Sequence, residues 1–276
     1  MTSAHRDGVV ALVAFTGWND AGDAASEALC HLEEMWGARE LERISAEEYV
    51  DFQMNRPVLT DDPSGERSIE WPDIRINRAG HGDQPPILTV MGPEPSLRWR
   101  RFCTELLDRL EEHGVTTVVT LGALLADAPH TRPLPVTATW RGPERSAVSA
   151  AEESGYEGPV GIPTILNAAA VQRDLATLSL WVQVPNYVGQ GPAPKGTLTL
   201  ITALERELGL IIQLGELEED ARAWERGLDE LAESEPDVAA YISQLEEVRD
   251  TADLPEATGD AIADEFEQFL RRRGQQ

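Results

Sequence analysis

Cysteine is scarce: Cys30 and Cys103 are the only two in 276 residues. That excludes a disulfide framework as the basis of the fold. One bridge stays open, and two buried, reduced thiols are the favoured reading. No stretch of about 20 apolar residues occurs, so no helix is expected to span a membrane. Residues 1–8 lack a basic leader, and the apolar run Val9–Phe15 is too short for a signal sequence. A cytoplasmic location is the expectation. Positive charge is in deficit. The formal net charge is −26, and Lys195 is the only lysine among 23 basic residues. Such a surface repels nucleic acid and anionic lipid and favours cationic partners.

Chemical motifs are also missing. No Gly-x-Ser-x-Gly elbow is present, which disfavours an α/β-hydrolase. His5, His31, His81, His113 and His130 are scattered, with no metal-ligand spacing to Cys or Asp. No metal and no cofactor are therefore expected. The run Gly189–Thr197 has the glycines of a phosphate loop. Its prolines at 192 and 194 supply no N–H donors, and Lys195 precedes Gly196 instead of following it. A rigid loop entering a helix is the better reading, with Lys195 able to meet an anion as a point charge.

What is present alternates. Val9–Phe15 and Ile87–Met91 are continuous apolar runs and read as buried strands. Ala21–Trp36 has helical spacing, with Asp20 and Asp23 placed to favour its N-terminus. Ile69–Ile76 alternates and reads as one strand, with Pro72 at an edge or bulge. After the break Gly92–Pro95, Ser96 is the expected N-cap of a helix. Trp99, Phe102, Cys103, Leu106, Leu107 and Leu110 form that helix's apolar face. Gly114 stops it, and the β-branched run Val115–Leu121 follows as a strand. Further on come a helix near Ala168–Thr177, a strand at Ser179–Val184, a loop at Pro185–Pro194 and a helix at Gly196–Leu208. This order predicts an α/β fold: a mixed, mostly parallel sheet covered by helices.

Composition shifts near Gly215. Residues 215–276 hold 19 Asp/Glu and 6 Arg, half of the net charge. Leu217, Ala221, Trp224, Leu228 and Leu231 make one helical stripe, and Val238, Ile242 and Leu245 make another after Pro236. Ile262, Phe266, Phe269 and Leu270 line a last helix. The expected division is an α/β core over 1–214 and an acidic, all-helical appendage over 215–276. The appendage packs on its own core or another subunit, or it awaits a partner helix.

Candidate site residues follow from strand ends, where α/β sheets bind ligands. The first set is Trp18, Asn19 and Asp20 after the first strand, with Glu94 after Ile87–Met91. Arg98, Arg100 and Arg101 sit nearby, opposing the helix dipole. They need an acidic neighbour, a partner subunit or an anion. The second set is the loop carrying Asp127, His130 and Arg132. A histidine there titrates near neutrality and an arginine clamps carboxylate or phosphate. Equally, both residues can serve the loop itself.

Several of these segments occur together in a known order. They are Val13–Ala25, Tyr49–Gln53 with Arg56-Pro57, Gly92–Pro95, Leu121–Pro133, Tyr156–Pro159, and Ser179–Trp181 with Pro185-Asn186-Tyr187. Over residues 8–210 the chain resembles the actinobacterial branch of the proteasome assembly chaperone family, in its second-chaperone-like group. Two departures stand out: Asn186 replaces a usual His, and Gly161-Ile162-Pro163-Thr164 replaces a Gly-Ile-Val-Gly-like stretch. The resemblance implies a phosphorylase/hydrolase-like core and adds Asn186 and Tyr187 to the candidate site. It implies a homo-oligomer, with a trimer favoured, and a protein partner related to the proteasome. It implies no established reaction. Two functions follow as expectations: a non-enzymatic assembly or interaction protein, or a small-molecule or nucleoside phosphorylase/hydrolase-like site at the strand ends. Some relatives dock through a terminal hydrophobic-Tyr-any motif, which the sequence Arg273–Gln276 does not contain.

Overall fold

Val9–Thr16 forms the central strand β1, apolar on both faces because helices cover both sides of the sheet. The computed structural model describes residues 8–61, 65, 67–80, 86–142, 158–189 and 191–252. A short 3-10 turn, Ala21–Asp23, leads from β1 into helix α1 (Ala24–Met35). Gly22 and Asp23 both take positive φ, 60° and 51°. Gly22 is required twice, because a Cβ there would lie 2.6 Å from the Cβ of Ala193.

Strand β2 (Arg39–Ile44) runs along the sheet edge. β3 (Val58–Asp61) and β4 (Arg67–Glu70) pair with each other as a separate two-stranded sheet. β5 (Ile74–Ala79) returns to the main sheet. The expected strand Ile69–Ile76 is thus two strands in two sheets. Pro72 lies in the break between them, where a residue without an N–H costs no ladder bond.

β6 (Ile87–Pro93) runs two residues past the expected stop, and helix α2 (Trp99–Glu112) follows. Arg98 is the N-cap residue of α2, in the left-handed region at φ 54°. Ser96, expected in that role, instead accepts a hydrogen bond from the Asp51 amide at 3.2 Å. Arg98 and Arg101 both pair with Glu48, so an acidic neighbour in the fold compensates them.

β7 (Val115–Ala126) extends five residues beyond the expected strand. β8 (Val136–Arg141) forms the other edge. Helix α3 (Ile162–Val171) starts at Gly161-Ile162-Pro163, with proline in its first turn. The helix thus begins six residues before the expected Ala168–Thr177. The second half of that expected range crosses a turn and enters strand β9 (Ala176–Pro185). Helix α4 (Pro194–Leu208) ends at Gly209, which has φ 66°. Helices α5 (Leu217–Ser234) and α6 (Pro236–Ala252) complete the described chain. The helix expected at Ile262–Leu270 lies outside the described residues.

The main sheet has the order β2-β5-β6-β1-β7-β9-β8. Its four central strands, β6, β1, β7 and β9, are parallel, and antiparallel strands flank them. The expected mixed, mostly parallel sheet is what forms. Helices α1, α4 and α5 pack on one face, through residues such as Leu29, Leu200 and Leu228. Helices α2 and α3 pack on the other, through Phe102, Leu106 and Leu166. The apolar stripe of α5 thus packs on the chain's own core.

The two cysteines lie on helices of opposite faces and both are free. Cys103 is buried as expected, whereas Cys30 is exposed, a correction to its expected burial. Burial pushes the Cys103 thiol up to about 11. Partial burial and then Glu27 and Glu33 raise the Cys30 thiol as well, so exposure separates the two: at pH 8 a thiol-specific reagent should modify one thiol per native chain and the second only after unfolding. Peptide mapping should place the first label on Cys30.

Candidate functional site

The strand order reverses at β1 and β7. The connection after β1 leads to one side of the sheet, and that after β7 leads to the other. The nine residues expected at the strand ends gather around this point in two groups.

The first group joins the ends of β1 and β6 to the start of α3. Asn19 carbonyl oxygen accepts from the Ala123 amide at 2.8 Å, tying the loop to β7. The side chains of Asn19 and Asp20 are buried, at 1% and 4% exposure. Asp20 supplies the side-chain capping bonds of α1, although Asp23 holds the N-cap position. One carboxylate oxygen accepts from the amides of Ala25 (2.7 Å) and Ser26 (3.2 Å), and the other from the Ser26 hydroxyl (2.5 Å). Asp23, expected to assist, makes no side-chain capping bond. Burial raises the Asp20 carboxyl above its ordinary value of 3.8, although the three donors pull it down. Asn19 points the other way, against α3. A Cβ on Gly161 would fall 2.2 Å from its Oδ1, so only glycine fits there. Neither Oδ1 nor Nδ2 of Asn19 has a hydrogen-bond partner among the described residues. Glu94 accepts from the Ile162 amide at 3.2 Å, a carboxylate at the N-terminus of α3.

Trp18 stands apart from this polar network. It is 80% exposed. Leu97, Leu124, Leu125 and Val160 are exposed on neighbouring loops and strand ends. The same rim that buries Asn19 and Asp20 therefore presents large apolar side chains to solvent.

The second group joins the loop after β7 to the end of β9 and to the tail. His130 has 0% exposure. Its backbone amide donates to the Tyr187 hydroxyl at 2.7 Å, and its Nδ1 lies 2.8 Å from the same oxygen. The Asp229 carboxylate facing Nε2 can only accept, so in the neutral imidazole Nδ1 is the acceptor and the Tyr187 hydroxyl donates to it. Nε2–H then donates to Asp229 on α5 at 3.1 Å. Burial pushes the Tyr187 phenol up to about 12, which keeps that donor protonated. Trp224 closes over the imidazole, with ring centroids 6.4 Å apart. Lys195, which heads α4, bonds the His130 carbonyl and the Glu225 carboxylate. The anion that its position suggests is thus a side chain of α5.

Arg132 does clamp a carboxylate, and it belongs to this chain. Nε and Nη2 bond the two oxygens of Asp250 at 2.8 and 2.9 Å, and Nη1 reaches Glu246 at 3.2 Å. Asn186 donates to Asp127 at 2.7 Å and to the Tyr241 hydroxyl at 3.0 Å, and that hydroxyl donates to Asp127 at 2.9 Å. Sequence reasoning gave Lys195 an anion to meet but not its identity, and it missed Asp229, Tyr241, Glu246 and Asp250. The spacing of Glu225 with Asp229, and of Glu246 with Asp250, one turn apart, was the available signal. Among the described residues, no group of three or more His, Cys, Asp or Glu is placed to hold a metal. No helix among them is long and apolar enough to cross a membrane.

Comparison with known proteins places this geometry. The PAC2 family model matches residues 14–232, past the expected limit near 210 and into α5. A PAC2 family protein from Streptomyces avermitilis is 48% identical, with a TM-score of 0.78. The match covers 84% of this chain and 99% of that one. A proteasome-assembly chaperone homologue from Mycobacterium tuberculosis is 40% identical, with the same coverages and a TM-score of 0.76. An archaeal proteasome activator from Pyrococcus furiosus is 15% identical and shares the fold, with a TM-score of 0.63 over 84% of this chain and 97% of that one. No curated protein matches. On the strength of the family model and the two relatives above 30% identity, the chain belongs to the PAC2 family.

Proposed function

We propose that this protein is a non-enzymatic assembly or interaction protein that holds another protein at the strand-end rim, the partner being a proteasome subunit. The observation that carries the reading is the division of labour at that rim. Asp20, Glu94, Asp127, His130, Arg132 and Asn186 spend their polar groups on bonds within the chain. Trp18, Leu97 and Leu125 beside them remain more than half exposed. A catalytic site needs free polar groups converging on a cavity, whereas a protein interface needs apolar anchors beside satisfied polar groups. The similarity to a proteasome-assembly chaperone homologue supports the choice of partner class.

Affinity for purified proteasome subunits from the same organism tests this. Trp18→Ala should weaken binding by about 30-fold, as expected for an aromatic anchor. Its stability should change by no more than about 0.5 kcal/mol, because Trp18 is exposed. Absence of binding by the wild type would remove the reading. The family resemblance also supports a homo-oligomer, with a trimer favoured. Native mass spectrometry should then give three times the 30.3 kDa protomer mass.

One observation favours a second reading, a small polar ligand. The unpartnered amide of buried Asn19 is a donor and an acceptor in want of a partner. A thermal-shift screen with nucleosides and phosphate addresses it. A shift abolished by Asn19→Ala would support a small-molecule site of nucleoside phosphorylase/hydrolase type at Trp18, Asn19, Asp20 and Glu94.

A further inference from the structure

Helix α6 lies beyond residue 232, where the family match ends. Yet α6 lies on two of the segments that carry the family resemblance. Its Tyr241 meets Asp127 and Asn186, and packs edge-on against Tyr187 with ring centroids 6.1 Å apart. Its Glu246 bonds Thr131 and Arg132, and its Asp250 fills the fork of Arg132.

The apolar hold on α6 is slight. Ile242 and Leu245 are buried, while Val248 is 63% exposed. The contacts with the loop surface given above are polar or aromatic. Glu246 and Asp250 stand one turn apart, so both face the same guanidinium. This is how a helix with two carboxylates is recognised: a planar fork for one acid, a hydroxyl and the remaining N–H for the other.

We propose that Thr131, Arg132, Asn186 and Tyr187 form a docking surface for an acidic helix of another protein, one presenting two carboxylates one turn apart, and that α6 is the built-in occupant such a helix displaces. The charge complementarity is local. The chain as a whole carries −26 and repels acidic partners, so an acidic helix on this surface depends on the Arg132 fork to hold it. Attachment gives α6 an effective concentration in the millimolar range, which a partner must overcome. The inference does not depend on the exposed apolar anchors of the Trp18 rim, and either can fail alone.

The probe is a fluorescent peptide spanning residues 236–252, titrated against the full chain and against its Glu246→Gln/Asp250→Asn variant. Hydrogen exchange should show the amides of α6 opening by about tenfold or more in the variant, with α5 and β7 unchanged. The peptide should then bind the variant at least about tenfold more tightly than the wild type, and adding Arg132→Gln should remove that gain. Three results would overturn the proposal. One is an α6 as protected in the variant as in the wild type. Another is a freed variant that ignores the peptide. The last is peptide binding that survives Arg132→Gln.

Discussion

Asp20→Ala should lower the stability of the chain by about 2–4 kcal/mol, the sum of a lost helix cap and of buried donors left without an acceptor. Three donors depend on this one carboxylate: the amides of Ala25 and Ser26 and the Ser26 hydroxyl. Both Ala25 and Ser26 are buried, so water cannot replace the carboxylate. For a chain of this size the melting temperature should fall by roughly 5–15 °C. Asp20→Asn should cost far less, because the amide oxygen still accepts from the two backbone N–H groups. The pair also separates charge from capping. Burial raises the folded carboxyl pKa above the ordinary 3.8, so between the two values the native state binds more protons than the unfolded chain. Stability contributed by this group therefore falls as pH rises through that window and is recovered on acidification. Asp20→Asn should erase that component of the pH profile. A melting curve of Asp20→Ala identical to wild type would show that Asp20 does not cap α1.

His130→Ala should be nearly as damaging, at about 2–4 kcal/mol. The imidazole has 0% exposure and is bonded at both nitrogens, to Tyr187 and to Asp229. Its removal opens a cavity between Tyr187 and Trp224 and frees α5 from the loop after β7. Tyr187→Phe should cost about 1–3 kcal/mol by leaving the His130 amide without its acceptor. Denaturant unfolding measures both. Loop histidines that serve catalysis in an open site are usually replaceable without loss of stability. A His130→Ala chain as stable as wild type would contradict the packing role assigned here.

How far the sequence went depended on whether its signal was local. Val9–Phe15, Ile87–Met91 and Val115–Leu121 were readable because strands covered on both faces need continuous apolar runs. The face Trp99–Leu110 was readable because helix periodicity is local too. The edges were not. Ile69–Ile76 alternates on each side of Pro72, but the phase slips there: Ile69 and Trp71 are two apart, then Ile74 and Ile76, and that slip is where the chain passes from one sheet to the other. The start of helix α3 is hard to read because Ile162-Pro163, its first turn, carries no polar N-cap before it. At the site, strand-end loops could be found by rule, but their partners on α5 and α6 are distant in sequence: His130 to Asp229 spans 99 positions. Arg132 to Asp250 spans 118 positions. Acidic pairs such as Glu246 and Asp250 look in sequence like any solvated helix face, so their docking was invisible until the fold brought them to Arg132.

The central claim is that the rim around Trp18 is where another protein binds. Hydrogen exchange on the chain alone and in complex with its bound proteasome subunit tests it most directly. Protection should concentrate at the Gly17–Asn19 turn, around Leu97, at Leu124-Leu125 and at Val160-Gly161. The outer faces of α2 and α4 should exchange as before. Protection on those helix faces with the rim unchanged, or a nucleoside protecting Asn19 while no protein does, would contradict the account.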